Sequence, residues 1–507
     1  MTEPSSREAC QATGDPVRGS GPEGEVFLRK KIILLIACIG TSMSPYDGGA
    51  VSVALPMIGE DLNAGLSALF WIPMATLVPS AVLQILFGRL ADLRGRKNLY
   101  SAGVGLFTLT SLLSGLSRSL PQLITFRIFQ GIAGALLWSN SAAIATESFP
   151  ERERGKAMGF YVMSVYLGLS IGPVLGGFLT QHGGWRSIFL LNVVVGSITF
   201  YLSRTFLPDE PVKRQRISFD WVGALLFAVF LISLLLALTF VQIAGWLSPW
   251  VILLLILSIL ALSTFIPFES RTSGEPMLDV SLFTQNRLFR AANTAAMMNY
   301  MAIFGAPYLL SLYLQGVLHY NPSRVGLLLI PQPVMMTILS PLAGRLSDRI
   351  GSRALTSAGM GFIAISLILL SRLGLESSAI EILADMALMG IGMGLFSSPN
   401  NSAIMGSVGR GHLGVASGTV GTVRIVGMSL GLALISTIMA SALPQGGFIN
   451  LLVNRKSPIT LVAREGMIQG LRQAFLFCAV IAVVGLFASL VRGRPVLLNS
   501  RNRRQGD

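Results

Sequence analysis

The feature that most limits how this chain can fold is a succession of apolar runs, each about as long as a bilayer is thick. A helix needs roughly 20 predominantly apolar residues to cross the hydrocarbon core, and lipid-exposed irregular backbone does not occur there. About fourteen runs reach this length. They begin near Lys31, Leu69, Asn98, Pro121, Ala157, Ser187, Asp220, Leu247, Leu288, Ser323, Arg353, Ser378, Gly414 and Arg472. With 52% hydrophobic and 12% charged residues, the composition is that of a membrane protein.

The segments between the runs leave little room for a soluble domain. We expect a disordered cytoplasmic tail over residues 1–30, a six-helix bundle over 31–207, cytoplasmic loops with two linker helices over 208–286, a second six-helix bundle over 287–491 and a basic cytoplasmic tail over 492–507. The predicted fold class is therefore an all-α polytopic membrane protein with two six-helix bundles, two linker helices and fourteen transmembrane helices in total.

The net charge of +14 is spread over the tails and the loops between spans. Because it never forms one dense basic stripe, nucleic acid is not an expected partner. With the amino terminus inside, most Lys and Arg residues fall in cytoplasmic loops, as the positive-inside rule requires. This distribution predicts an inner or plasma membrane protein with both termini in the cytoplasm.

A short loop sequence occurs twice. GRLADLRGRK covers Gly88 to Lys97, and GRLSDRIGSR begins 256 positions later at Gly344 and ends at Arg353. Each copy follows the second span of its half, which predicts a duplication into two parallel halves. Six helices with loops account for most of the 256 positions, and the two spans between Asp220 and Phe268 account for the rest.

The loop also predicts a latch at the inner membrane edge. Asp92 and Arg96 lie at this edge, and Glu147 at the inner end of the fourth helix approaches them. Ion pairs of this kind hold one mouth of a transporter shut and break in the other state. The second copy keeps Asp348 and Arg349 but has no matching acid between 406 and 412, so we expect an asymmetric latch. A topology anchor without switching is the alternative.

Four charged residues lie inside predicted spans, where charge is costly and marks transport pathways. They are Asp47, Arg127, Asp385 and Arg424. At 1.5 Å per residue, Asp47 and Arg127 lie at about the same depth and are expected to meet. We expect Asp47 to carry the proton, whereas the arginines stay protonated and tune or bind. The alternatives are a static buried pair for Asp47 and a position at the membrane interface for Asp385.

Small residues recur every four positions in the fifth predicted helix and so form one stripe. The stripe comprises Ser164, Gly168, Gly172 and Gly176. Such stripes allow close helix packing in lipid, and Pro173 removes a backbone donor and bends the helix. We interpret this helix as a hinge between the two halves; ordinary close packing without a gating role is the alternative.

These motifs together resemble the major facilitator superfamily, and within it the group of fourteen-helix drug and proton antiporters. The matching positions of the loop, fourth-helix, fifth-helix and fifth-to-sixth-turn motifs are Gly88, Asp92, Gly95, Arg96, Lys97, Arg127, Gln130, Gly131, Gly134, Gly168, Gly172, Pro173, Gly176, Gly177, Trp185, Arg186, Phe189 and Asn192. In the first-helix motif Asp47, Val51, Val53 and Pro56 match, but Gly49 and Ser52 replace the usual Thr and Asn.

The resemblance implies a secondary transporter that exports small amphipathic compounds in exchange for protons by alternating access, as in multidrug efflux. The sequence shows no phosphate-binding loop with Lys, no metal-ligand cluster and no nucleophile elbow, so neither enzyme activity nor a cofactor or metal is expected. Two alternatives stay open: an exporter of one metabolite, siderophore or lipid, and a membrane sensor or scaffold that transports nothing.

The expected partners are the lipid bilayer, a small-molecule substrate and protons. A periplasmic adaptor protein is a further candidate, since the connection from Ala442 to Gly470 is either an adaptor contact or an amphipathic hairpin. In the substrate cavity we place Trp138, which lies on nearly the same helix face as Arg127, together with Asn293, Asn299 and Tyr300; simple packing is the alternative for each. Two arginines and few carboxylates leave anionic, zwitterionic and neutral substrates open.

Overall fold

The computed structural model describes residues 22–150, 153–208, 220–271, 280–408, 413–442 and 458–491. Over these ranges the chain forms eighteen helices. Twelve stretches of the described residues are long and apolar enough to cross a membrane, so the chain is an all-helical, multi-pass membrane protein. This number is two below the fourteen predicted from the sequence. The helices on either side of the GRLADLRGRK loop account for the difference: the first has a shorter apolar stretch, Trp71–Gln84, among the described residues, and the other is rich in Ser, Thr and Gly.

The first half contains seven helices. They are α1 (Pro22–Asp61), α2 (Leu66–Leu69), α3 (Trp71–Arg94), α4 (Arg96–Gly115), α5 (Leu120–Glu147), α6 (Arg154–Gly183) and α7 (Arg186–Phe206). Hydroxyl side chains within them bond to their own helix: Thr41 Oγ1 donates to the carbonyl of Ala37 at 2.8 Å, and Thr110 Oγ1 donates to that of Leu106 at 2.7 Å. Polar residues are thereby accommodated in apolar surroundings.

A helical hairpin follows, formed by α8 (Trp221–Ala244) and α9 (Pro249–Arg271). Asp220 caps α8 by accepting a bond from the Gly223 amide at 2.8 Å, as N-cap residues commonly do. Apolar side chains of α8, among them Phe227 and Leu231, form one cluster with Ala81 of α3 and Ile425 of the second half. The hairpin therefore packs where the two halves of the chain meet.

The second half contains nine helices. They are α10 (Val280–Gln285), α11 (Arg287–Ile303), α12 (Ala306–Gly316), α13 (Pro322–Leu329), α14 (Pro331–Ile350), α15 (Ser352–Leu370), α16 (Ala379–Gly406), α17 (Leu413–Ala442) and α18 (Pro458–Leu490). Two pairs, α11 with α12 and α13 with α14, each form a single membrane-length stretch.

The two loop copies have the same backbone geometry. Gly95 joins α3 to α4, Gly351 joins α14 to α15, and each has φ = +87°, a conformation that residues with a Cβ rarely adopt. Gly88 packs against Ser139 on α5, and Gly344 packs against Ser398 on α16. The equivalent turns and contacts support the duplication inferred from the sequence.

Glycines bring α6 against α1 at backbone distance. A Cβ placed on Gly168 would lie 2.6 Å from the carbonyl oxygen of Ser42, and one on Gly172 would lie 2.7 Å from that of Tyr46. One on Gly176 would lie 2.4 Å from Ala50 Cα. Since Cβ atoms essentially never approach backbone this closely, the predicted stripe is an interlocked face between these two helices.

Candidate functional site

The two ends of the bundle are defined by different contacts. Asp61, at the end of α1, accepts bonds from Trp185 Nε1 at 3.0 Å and from Arg186 NH1 at 2.6 Å. Arg186 also donates to the carbonyl of Ser117, in the α4–α5 connection, at 3.0 Å. We call the end of the bundle that carries these contacts the far end. The opposite end, which carries Gly95 and Gly351, is the loop end.

The predicted meeting of two charged residues is present in the structure. Arg127 on α5 donates through NH1 to the Asp47 carboxylate on α1. The same nitrogen donates to Gln130 Oε1 at 2.9 Å, and Arg127 Nε donates to the carbonyl of Ile72 on α3 at 3.4 Å. Asp47 is 4% exposed and Arg127 is 1% exposed, so water does not screen the pair.

Two amides hold the other oxygen of the Asp47 carboxylate. Asn192 Nδ2 on α7 donates to Oδ1 at 3.0 Å, and Gln130 Nε2 donates to it at 3.3 Å. Gln130 Nε2 also donates to Ser111 Oγ on α4 at 3.0 Å. The network thus joins five helices of the first half, α1, α3, α4, α5 and α7.

An ion pair in this position contributes little net stability. Removing two charges from water costs several kcal/mol per ion, and a well-packed apolar pair of similar volume is often as stable or more so. The network compensates part of the cost, because every named oxygen of Asp47 accepts a bond. The Arg127 guanidinium further lies 5.7 Å from the centre of the Phe189 ring, within cation–π range.

The two halves close against each other at the far end. On α12, Gln315 Nε2 donates to the carbonyl of Val53 at 2.7 Å, and Ser311 Oγ does so at 3.4 Å. Tyr308 OH donates to the carbonyl of Gly48 at 3.3 Å. Gly48 follows Asp47 directly, so the same turn of α1 carries the buried carboxylate and part of this closure.

A second contact closes the far end between α6 and α13. A Cβ placed on Gly177 would lie 2.3 Å from the carbonyl oxygen of Pro322, and one placed on Gly326 would lie 2.2 Å from that of Pro173. The backbones therefore touch reciprocally across the boundary between the halves. We call this contact and the α1–α12 contact together the far-end seam.

Arg424 lies in a separate group, also at the boundary between the halves. Its guanidinium carbon is 4.3 Å from the centre of the Trp138 ring on α5. The hydroxyls of Tyr300 on α11 and of Tyr161 on α6 are close enough to Arg424 to interact with its positive charge. The structure thus brings together the predicted residues Arg424 of α17, Trp138 of α5 and Tyr300 of α11. The α5 helix also carries Arg127.

The remaining predicted residues lie elsewhere. Asp385 is buried near the start of α16, where its backbone carbonyl accepts a bond from Ser366 on α15 at 2.8 Å, so it belongs to neither group. Asn299 Nδ2 donates to Met360 Sδ on α15 at 3.3 Å, and Asn293 Nδ2 donates to the carbonyl of Phe289 at 2.9 Å. The Nδ2 groups of both asparagines are thus engaged inside their own half, and a role in the substrate cavity stays a prediction.

The latch falls largely outside the described residues. The side chains of Asp92, Glu147 and Asp348, the residues 409–412 and the connection 443–457 are not among them. Of the remaining loop residues, Arg96 and Lys97 are half-buried and Arg349 is exposed. The latch and the adaptor contact therefore stay predictions.

Sequence reasoning did not assign Gln130, Asn192 and Ser111 to the site. The spacing of the first two could have indicated their place in the site. Gln130 lies one helical turn after Arg127, and Asn192 lies two turns after Trp185, which is anchored at the far end. No feature of the sequence distinguished Ser111, since α4 contains several serines and threonines of similar spacing.

Comparison with known proteins identifies the family. A sequence model described as the Major Facilitator Superfamily matches residues 37–283, 221–432 and 292–506. The chain belongs to this superfamily. It is accordingly a membrane transporter and not an enzyme, as the sequence predicted.

The curated relatives of this superfamily member include transporters that are named for different substrates. It is 33% identical over 415 residues to the riboflavin transporter RibZ of Clostridioides difficile, covering 82% of this chain and 89% of the relative. It is equally identical over 415 residues to the multidrug resistance protein Stp of Mycobacterium tuberculosis, covering 82% and 76%. The tetracenomycin C resistance and export protein of Streptomyces glaucescens is 30% identical over 408 residues, covering 80% and 76%.

Among solved structures, the superfamily member is similar to a bacterial homolog of the human lysosomal transporter Spinster in an inward-facing, unoccupied conformation. The TM-score is 0.65 at 16% identity, with 94% of this chain and 98% of that chain covered. At this identity the likeness concerns the fold alone.

Proposed function

We propose that this superfamily member exports small amphipathic compounds from the cell in exchange for protons, by alternating access. The resistance and export functions named for Stp and for the tetracenomycin C relative support efflux. The observation that carries the proton coupling is the buried Asp47–Arg127 pair with its amide donors. Such a pair adds little stability, so its presence in a transporter interior favours a role in coupling.

The proposed topology has fourteen transmembrane helices in the plasma membrane. At 1.5 Å per residue, α3 and α4, with 24 and 20 residues, are about 36 and 30 Å long, enough to cross. Both pack on α5, where a Cβ on Gly131 would meet the Thr76 carbonyl oxygen at 2.4 Å and one on Gly103 would meet Leu136 Cβ at 2.8 Å. The positive-inside rule then places the loop end and both termini in the cytoplasm, and the far end outside.

In the proposed cycle Asp47 carries the proton, because Arg127 stays protonated. The ionised carboxylate accepts bonds from Arg127, Gln130 and Asn192. Protonation puts a proton on one of the four acceptor sites of the carboxylate and removes its negative charge, so all three bonds weaken, that from the Arg127 guanidinium most. The contact of α1 with α5 and α7 therefore depends on the protonation state.

The same helix transmits the change to the far-end seam. Gly48 and Val53 of α1 accept the bonds from Tyr308, Ser311 and Gln315 on α12. A shift of α1 alters these bonds, so the protonation state of Asp47 and the opening of the seam are coupled. We assign Arg424 a tuning or binding role, and Asp385 stays a secondary proton-coupling candidate.

Gating in this proposal uses the two predicted motifs. The α6 helix acts as the pivot, since its residues Gly168, Gly172 and Gly176 contact α1, whereas Pro173 and Gly177 contact α13 of the other half. The loop latch, formed by Asp92, Arg96 and Glu147, closes the cytoplasmic mouth. An inward proton brings about 2.3 kcal/mol per 100 mV of membrane potential, which can drive accumulation of exported compound outside.

Export of one dedicated compound is the second candidate function. The identity with the riboflavin transporter RibZ, over 89% of that protein, favours it. A dedicated exporter shows saturable transport of one compound, and a multidrug exporter responds to several unrelated ones.

The test is proton release from acid-loaded inside-out vesicles on addition of a panel of compounds. We expect compound-dependent release with the intact protein and none with Asp47→Asn. Asp61→Asn is the matched control, because it makes the same substitution on the same helix at an exposed position, and we expect it to retain release. Full release by a folded Asp47→Asn protein would refute the carrier role, and no release with any compound would refute proton-coupled export.

A further inference from the structure

Among the described side chains, Arg424 differs from Arg127 in having no carboxylate beside it. Ion pairs in this part of the chain join Arg127 with Asp47 and Arg186 with Asp61. Asp385 is twelve residues before Ser397, the residue of α16 that lies near Tyr300, and this separation is about 18 Å along the helix. Within the described residues, the positive charge of Arg424 at the boundary between the halves is therefore not compensated by a carboxylate.

The surroundings of this charge are aromatic and come from both halves. Trp138 on α5 stacks on the guanidinium at 4.3 Å. Tyr161 on α6 and Tyr300 on α11 approach it from two further helices, and both Arg424 and Trp138 are only half-buried. Other groups therefore have access to this arginine and its indole partner.

The guanidinium carbon lies over the Trp138 ring, and the Tyr300 hydroxyl interacts with one side of the group; the rest of the five N–H donors of the arginine are left for a ligand. The N–H donors of arginine lie in the plane of the group and match the two oxygens of a carboxylate. In a low-dielectric region an unpaired cation attracts an anion more strongly than at a surface and repels a second cation. Flat aromatic surface beside it adds stacking area for a planar molecule.

We propose that Arg424 and Trp138 form the binding site for planar aromatic substrates that carry a negative charge, such as a carboxylate or an ionised phenol. The anionic group binds the remaining N–H donors of the guanidinium, and the ring system packs against Trp138, Tyr161 and Tyr300. This inference rests on the proposed export function, for which it names the substrate class. The site lies eleven residues along α5 from Arg127, or about 16 Å, so substrate and proton occupy separate places.

Three probes with one ring system and different charges test this proposal. They are 9-anthracenecarboxylate, 9-anthracenemethanol and 9-(aminomethyl)anthracene, which are anionic, neutral and cationic at pH 7. Binding to the full-length protein in nanodiscs is measured by equilibrium dialysis, with binding to empty nanodiscs subtracted. We expect the anion to bind at least tenfold more tightly than the cation; equal or tighter binding of the cation would overturn the proposal.

Variants separate the site from a static contact between the halves. Arg424→Gln is expected to weaken binding of the anion at least tenfold and to change binding of the neutral probe less than threefold. Arg424→Lys is expected to keep part of the preference, and Trp138→Ala to weaken all three probes. The matched control is Arg287→Gln, which removes an exposed positive charge on α11 and should change nothing.

The outcomes distinguish this inference from the proposed function. If Arg424→Gln and Arg424→Lys are monodisperse and both bind the anion like the intact protein, the contact is structural and the inference is wrong, even where proton-coupled export is observed. If the charge preference depends on Arg424 but no compound releases protons from vesicles, the site stands and the coupling proposal fails.

Discussion

Gly177→Ala is expected to open the far-end seam while leaving each half intact. The added Cβ would lie 2.3 Å from the Pro322 carbonyl oxygen, whereas carbon and oxygen atoms in contact are usually about 3.3–3.6 Å apart. The two backbones must therefore separate by about 1 Å in the closed state. When α13 leaves α6, the methyl group has room, so the substitution penalises one state only.

The size of the effect follows from overpacking. Inserting one methyl group into a filled contact costs about 1–3 kcal/mol. Because the cost applies to the closed state alone, the ratio of open to closed protein should rise by about 5- to 150-fold. Gly103→Ala is the matched comparison: its Cβ would lie 2.8 Å from Leu136 Cβ, between α4 and α5 of the same half, so it should lower stability without opening the seam.

Thiol labelling measures this ratio. In a protein whose native cysteines are replaced, Ser311→Cys places a thiol in the seam, at a position that is fully buried in the closed state. A membrane-impermeant maleimide applied outside should label it about 5- to 150-fold faster with Gly177→Ala. Gly159→Ala is on the same helix as Gly177, and an added Cβ there meets nothing within 4 Å. In this variant the thiol at position 311 should be labelled at the parental rate.

Two results would refute this reasoning. Labelling at the parental rate in a folded Gly177→Ala protein would show that the α6–α13 contact does not limit opening. Faster labelling with Gly103→Ala to the same extent would show that any overpacking in the first half exposes the seam, so that the position of the clash is irrelevant.

Two further predictions concern the ion pairs. Arg127→Gln should destabilise the protein by about 3–5 kcal/mol, because the Asp47 carboxylate then stays buried without its cation. Adding Asp47→Asn should recover part of this loss. Thermal unfolding in detergent measures both effects, and a double variant no more stable than Arg127→Gln would contradict the argument. Asp61→Asn should cost less than about 1 kcal/mol, since Arg186 and Asp61 are 38% and 44% exposed; a loss as large as that of Arg127→Gln in the same assay would contradict it.

The sequence predicted the helical membrane class, the duplication and the stripe on α6 because each depends on periodic or repeated residues. Apolar runs of bilayer length predict helices, because a helix satisfies its own backbone hydrogen bonds in lipid. A glycine at every fourth position marks one helix face whichever neighbour it meets. The pattern did not show which helix packs against this face. The structure identifies that helix as α1, through contacts at Ser42, Tyr46 and Ala50.

The site was only partly predictable for a related reason. Charges inside spans are rare, so Asp47, Arg127 and Arg424 stand out in the sequence. Neutral partners such as Asn192 and Ser111 do not stand out, because their role depends on which helices pack around Asp47. The same reason explains the asparagines of α11: their spacing does not reveal that Asn299 faces Met360 on α15.

The interlock between α1 and α6 determines how far a change at Asp47 can reach. These helices are in close contact, because Gly168, Gly172 and Gly176 of α6 let its backbone approach the α1 backbone. A shift of α1 towards or away from α6 therefore requires α6 to adjust. Each of them holds one part of the far-end seam, α1 through its bonds from α12 and α6 through its backbone contact with α13. A shift that a change of protonation produces at α1 therefore acts on both parts, so a single proton site can control the whole seam.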